Sequence, residues 1–224
     1  MGELIRFSRP DGQECPGYLA TPAAGGDAPG IVVIQEWWGL NDQIRGVADR
    51  FAAAGYRALV PDLYRGRVAA TPDEANHMMS GLDWGAATVQ DVQGAVHHLG
   101  RGGRRVAVLG FCMGGALTLL AAAKVSGVTA GVCFYGIPPE SACDFASIRV
   151  PLLLHFAEHD DWCNAAAVDQ LAARLTAGRV PHDLHRYDAQ HAFFNEQRPE
   201  VYDAATSKLA WDRSLQFLAR ELGA

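Results

Sequence analysis

The feature that most constrains this chain is the run Val106-Ala107-Val108-Leu109-Gly110-Phe111-Cys112-Met113-Gly114-Gly115-Ala116, where an apolar strand passes through Gly-x-Cys-x-Gly straight into a helical segment. A reversal this tight strains its central residue and brings neighbouring backbone very close, so Gly110 and Gly114 must lack side chains. Gly115 and Ala116 keep the helix start against the sheet. A thiol at the turn sits over the positive end of the following helix, which favours the thiolate, and the backbone N–H of Met113 can stabilise a developing oxyanion. Cys112 is therefore the candidate nucleophile. The competing reading makes it a small buried hydrophobe whose glycines serve packing alone.

The rest of the chain supplies the sheet that such a turn requires. Apolar, β-branched runs alternate with segments of helical period, which predicts an α/β fold with a mostly parallel central sheet and helices on both faces. The expected strands are Leu4–Phe7, Gly17–Ala20, Ile31–Gln35, Tyr56–Val60, Arg105–Leu109, Val128–Tyr135, Pro151–Phe156 and His182–Tyr187. Asn41 or Asp42 caps a helix whose apolar face is Ile44, Val47, Phe51 and Ala54 and which Gly55 ends, and further helices are expected over Gly114–Lys124, Ala165–Ala177 and Pro199–Leu222. Ala23–Gly30 reads as a surface turn, and Tyr64–Trp84, the least regular long connection, is expected to overhang the ligand crevice. At 224 residues, 49% of them hydrophobic, the chain fits one domain spanning 1–224.

Charge and cysteine usage narrow the partners. A formal net charge of -6 lacks the basic footprint that holds proteins on nucleic acid or anionic lipid. The chain turns polar within its first residues and holds no apolar run near the ~20 residues of a membrane span, so a cytoplasmic enzyme is expected. The five cysteines, Cys15, Cys112, Cys133, Cys143 and Cys163, are odd in number and irregularly spaced, which fits free thiols. Neither a metal nor another cofactor is expected.

A cysteine nucleophile needs a base and an orienting acid, and in this fold both follow it in the chain at the ends of later strands. Ala157-Glu158-His159-Asp160-Asp161 follows one expected strand, and Asp188-Ala189-Gln190-His191-Ala192-Phe193-Phe194 follows the next. Asp160, four residues past the expected strand end, is the preferred acid over Asp161, and His191 is the base. The cluster His155, His159, Asp160, Asp161 and Cys163 has some metal-ligand character, but its spacing matches no zinc signature and alternation along a strand sends its members to different faces.

Taken together, these residues resemble the dienelactone hydrolase family of cysteine-dependent α/β-hydrolases. The resemblance runs nearly the whole length, through Gln35-Glu36-Trp37-Trp38-Gly39-Leu40-Asn41, Pro61-Asp62-Leu63-Tyr64, the Cys112 turn, the Asp160 loop and His191-Ala192-Phe193. It implies that Glu36 contacts the resting thiol until substrate swings the cysteine toward His191, that the Trp37 N–H joins that of Met113 in the oxyanion hole, and that the protein is a monomer. A carboxylate beside a thiol disfavours a second negative charge and so keeps the sulfur protonated.

The chain departs from the family at the substrate clamp. Where the family places a serine directly after the histidine and an arginine three residues beyond, this sequence has Ala192 and Asn195, and Val68–Trp84 contains neither Arg nor Lys. Unless Arg65 or Arg67 folds back, recognition of a carboxylate is weakened, and a neutral, fairly apolar small-molecule ester or lactone is expected. Trp38, Trp84, Tyr135, Trp162 and Phe193 are the expected pocket aromatics. The alternatives left open are carboxymethylenebutenolidase activity proper, a thioesterase, a non-catalytic ligand-binding protein, and a redox role for Cys112.

Overall fold

A computed structural model describes residues 2–23, 25 and 27–223. Ala24 and Gly26 of the Ala23–Gly30 stretch, and the two terminal residues, lie outside them. The chain forms one eight-stranded sheet with the order β1-β2-β4-β3-β5-β6-β7-β8, built from β1 (Glu3–Ser8), β2 (Glu14–Ala20), β3 (Gly30–Ile34), β4 (Arg57–Pro61), β5 (Val106–Phe111), β6 (Val128–Phe134), β7 (Leu152–His159) and β8 (His182–Gln190). β1 and β2 run antiparallel to their neighbours, and the six strands from β4 to β8 run parallel.

Alternation along the strands sends side chains into two separate cores. Val32 and Ile34 of β3 and Val106 and Val108 of β5 pack beneath the helices α4 (Gln93–Leu99), α5 (Met113–Lys124) and α6 (Ala165–Ala177). Ile31 and Val33, with Ala107, Leu109 and Phe111, face α1 (Asp42–Ala53) and α7 (Ala204–Leu222) on the other side. A period of two on strands buried on both faces gives this three-layer arrangement. Helix α5 is buried from Met113 to Ala122, as a helix apolar on every side must be.

Capping fixes where the helices begin. Asn41 accepts from the Ile44 N–H at the start of α1, and Asn164 does the same from Ala167 for α6. The last helix starts at Ala204 rather than Pro199, because the Asp203 carboxylate caps it by accepting from Thr206 while the Asp203 N–H is held by the Phe193 carbonyl. The Tyr64–Trp84 connection is more regular than expected. It holds α2 (Pro72–Ser80), whose N-cap Thr71 accepts from Glu74, and Trp84 opens a further helix, α3 (Trp84–Ala86), that continues through the π-helical Ala87–Val92 into α4.

Strands β7 and β8 run farther than their apolar content. The expected ends were Phe156 and Tyr187, but the ladder continues to the pair His159 and Gln190 across an irregularity near Ala157. Glu158 and His159 are exposed, so backbone pairing alone carries the extension and hydrophobicity gives no sign of it. Asp160 and His191 consequently stand directly at adjacent strand ends. Among the described residues, no helix is long and apolar enough to cross a membrane.

Candidate active site

The turn after β5 has the geometry that its glycines demand. Cys112 has φ 53° and ψ -115°, a left-handed conformation that a non-glycine residue adopts only under constraint. A Cβ on Gly110 would lie 2.1 Å from the Gly114 carbonyl oxygen, one on Gly114 2.3 Å from that of Ile34, and one on Gly115 2.4 Å from that of Phe134. The helix start is thereby pressed against β3 and β6. The Cys112 N–H donates to the Phe134 carbonyl at 3.0 Å, and its own carbonyl accepts from Ala116, so the backbone on both sides of the sulfur is held.

His191 Nδ1 and Asp160 Oδ2 are 2.7 Å apart, with the Asp160 side chain fully buried. The other oxygen of Asp160 accepts from the N–H groups of Trp162 and Cys163, both at 2.8 Å, so one carboxylate fixes the imidazole and the turn that carries Trp162. Burial opposes charge on His191, but its bond to Asp160 and its contact with the Cys112 sulfur outweigh that and push its pKa up to about 10. Asp161 is exposed and does not cap α6.

Glu36 is buried in the loop after β3, and its environment differs from the expected contact with the thiol. Tyr135 donates its hydroxyl to Oε1 at 3.2 Å, and the Asn195 amide donates to Oε2 at 2.6 Å. Among the described residues, no hydrogen bond joins this carboxylate to the Cys112 sulfur. Burial raises the Glu36 pKa, against the lowering effect of Asn195, His191, Tyr135 and Arg198. The sequence registered Asn195 only as a missing arginine; its part as a partner of Glu36 depends on a contact between residues far apart in the chain.

Cys112, His191, Glu36 and Tyr135 line a cavity of about 260 Å³. Trp37, Trp38, Trp84, Tyr135 and Trp162 are on its wall, joined by Met79 of α2 and by Ile137 and Pro139 beyond β6. Trp37 meets Trp38 and Trp162 edge-on, with ring centroids 5.3 and 6.0 Å apart, and Trp162 is 67% exposed at the mouth. Phe193 is not a pocket residue. It is fully buried in the core against Tyr135 and Tyr187, because the step after His191 turns it into the sheet. Neither the Trp37 nor the Met113 N–H meets an acceptor among the described residues, and both residues border the cavity.

The cations are placed differently from expectation. Arg65 forms two bonds to the buried Asp91 at 2.8 and 2.9 Å, and with Arg67 it borders a separate polar cleft. Among the described residues, Arg198 is the arginine that borders the Cys112 cavity, with its guanidinium 5.9 Å from the Trp38 ring and ion-paired to Glu200 at 2.7 Å. It lies three residues past the family's arginine position, which Asn195 occupies, so a check at that position missed it. The histidines and acids that resembled metal ligands are scattered: His155 bonds Tyr187 and Ser214 in the interior, and His159 pairs with Asp188 on the surface. All five cysteines are unpaired, and Cys163 borders the cavity with Cys112.

A family model described as "Dienelactone hydrolase family" matches residues 15–222. "Protein usf" of Aquifex pyrophilus is 34% identical over 99% of this chain and 100% of its own length. A "Putative carboxymethylenebutenolidase" of Aquifex aeolicus is 32% identical over 97% of each chain. Among solved structures, a "Putative Dienelactone Hydrolase" from Klebsiella pneumoniae subsp. pneumoniae superposes with a TM-score of 0.85 at 25% identity, covering 98% of this chain and 99% of that one.

Proposed function

The chain belongs to the dienelactone hydrolase family of ester and lactone hydrolases, and we propose that it acts through a Cys112–His191–Asp160 triad and an acyl-thioester intermediate on a neutral, fairly apolar substrate. The observation that carries this reading is the pairing of His191 with Asp160 at 2.7 Å beside the strained Cys112 turn, at the floor of an apolar cavity. Cys112 gives its thiol proton to His191 as its sulfur attacks the carbonyl carbon, and the N–H groups of Trp37 and Met113 take the negative oxygen. His191 protonates the departing alkoxide as the thioester forms. It then removes a proton from water, which releases the acid and regenerates the thiol.

Four of the five tryptophans border the cavity, which supports a substrate with an extended apolar surface. Arg198 favours a second reading, a lactone bearing a carboxylate that displaces Glu200 from the guanidinium.

The test incubates wild type and Cys112→Ala with p-nitrophenyl acetate and with a dienelactone, following product release and intact mass after rapid quenching. An acyl adduct and turnover in wild type only are expected, with kcat/KM higher for the neutral ester. Full activity in Cys112→Ala overturns the triad. A preference for the dienelactone that disappears in Arg198→Gln overturns the neutral substrate and establishes the second reading.

A further inference from the structure

The second half of the proposed reaction needs a nucleophile that reaches the acyl carbon, and the cavity offers that nucleophile few polar partners. Both oxygens of the buried Glu36 are taken, one by the Tyr135 hydroxyl at 3.2 Å and one by the Asn195 amide at 2.6 Å. The Cys163 thiol lies on the Tyr135 carbonyl at 3.5 Å, and Arg198 is paired with Glu200 at 2.7 Å. Asp160 spends one oxygen on His191 and the other on two backbone N–H groups. In the proposed acyl-enzyme the Trp37 and Met113 N–H groups hold the carbonyl oxygen and the sulfur is bonded to the acyl carbon. The free nitrogen of His191 is then the partner left for an incoming hydroxyl. The wall around it is apolar: Tyr135 meets the imidazole edge-on with centroids 5.1 Å apart, the Trp162 ring is 6.5 Å from it, and Trp84, Met79, Ile137 and Pro139 line further parts of the cavity.

A water molecule at that position is poorly served. It gives one O–H to His191 and one lone pair to the carbonyl carbon, and its second O–H faces an apolar wall, where an unmade hydrogen bond carries its full desolvation cost. An alcohol replaces that O–H by a carbon chain, which the same wall buries favourably. We propose that the enzyme is also an acyltransferase, which passes the acyl group from Cys112 to a primary alcohol with an aromatic body in preference to water. The inference rests on the proposed Cys112 thioester. The alcohol oxygen attacks the thioester carbon while its proton passes to His191, and the tetrahedral oxyanion sits on the Trp37 and Met113 N–H groups. The C–S bond then breaks as His191 returns the proton to sulfur. A new ester and the free thiol result, with no change of oxidation state and no co-reactant beyond the alcohol. Trp162 is a platform for the aromatic body: its indole is 67% exposed at the mouth, yet Asp160 pins the turn that carries it. A short acyl group leaves most of the cavity of about 260 Å³ to the acceptor.

The experiment supplies p-nitrophenyl acetate as donor with 2-phenylethanol or methanol as acceptor at equal concentration. Phenethyl or methyl acetate is measured against acetate by gas chromatography in the first turnovers, after subtraction of enzyme-free mixtures. In wild type, at about 50 mM acceptor, phenethyl acetate is expected to exceed acetate, and methyl acetate to form at least about tenfold less, the scale on which an apolar contact discriminates. In Trp162→Ala the ratio of phenethyl acetate to acetate falls at least about fivefold, since the aromatic platform is gone. Acetate as the sole product, equal transfer to the two alcohols, or an unchanged ratio in folded Trp162→Ala overturns the inference. If Trp162→Ala does not fold, the two alcohols on wild type decide. Intact mass keeps this apart from the triad. An acetyl adduct on wild type that goes only to acetate ends the transfer and leaves the triad standing. Full p-nitrophenol release by Cys112→Ala with no adduct on wild type ends the triad, and the transfer with it.

Discussion

Asp160 shows how much one side chain carries. Its Oδ2 orients His191, while Oδ1 holds the two N–H groups of the turn bearing Trp162. Asp160→Asn keeps the size but turns one oxygen into a donor, which must face either the imidazole or those N–H groups. We expect kcat/KM for p-nitrophenyl acetate to fall by roughly a hundredfold to ten-thousandfold, as loss of the orienting acid does in other triads. Steady-state kinetics alongside circular dichroism measure this, and a folded variant within about threefold of wild type contradicts the assigned role. Asp160 and Cys112 were both legible in the sequence, since one occupies a glycine-bracketed turn and the other follows a recognisable strand. The partners of Glu36 were not, because a buried amide and a phenol gave no local pattern.

At the scale of elements, β7 and α7 are joined by a buried polar network. His155 is inaccessible and bonds the Tyr187 hydroxyl at 2.8 Å and the Ser214 hydroxyl at 3.1 Å, with His185 stacked beside it and Arg213 donating to Tyr187. Burial, reinforced by the positive fields of His185 and Arg213, holds the His155 pKa well below its ordinary value. The folded state therefore keeps His155 neutral while the unfolded chain takes up a proton below about 6.5. Its contribution to stability is fully present above that pH and declines as pH falls below it. Urea midpoints measured between pH 8 and 5 should drop more steeply for wild type than for His155→Gln. Parallel slopes would remove His155 as the source. Such a network depends on three elements meeting, so the sequence offered only a histidine on an apolar strand.

For the molecule as a whole, the cavity collects its wall from loops at the ends of β3, β5, β6, β7 and β8 together with α2 and α3. Trp162 belongs to this assembled surface and contributes little to the core. Replacing it with alanine should change unfolding free energy by no more than about 0.5 kcal/mol, as expected of a surface position. The same change should raise KM for an apolar ester several-fold while leaving acetate esters nearly unaffected. Thermal melts and a comparison of p-nitrophenyl acetate with p-nitrophenyl hexanoate check both parts, and an unchanged KM for the longer ester places Trp162 outside the binding surface.

The sequence by itself determined the α/β architecture, the strand set, the Cys112 turn and the chain order of Cys112, Asp160 and His191, the proposed nucleophile, acid and base. Each of these is written in local periodicity, in glycines that steric contact requires, or in position along the chain. Tertiary structure decided the rest. It carried β7 and β8 beyond their apolar residues by backbone pairing, placed Phe193 in the core, and brought Arg198 to the cavity in place of Arg65 or Arg67. It also gave Glu36 to Asn195 and Tyr135, residues 159 and 99 positions away. Contacts at that separation are set by how the layers close on one another, and no short stretch of sequence encodes them.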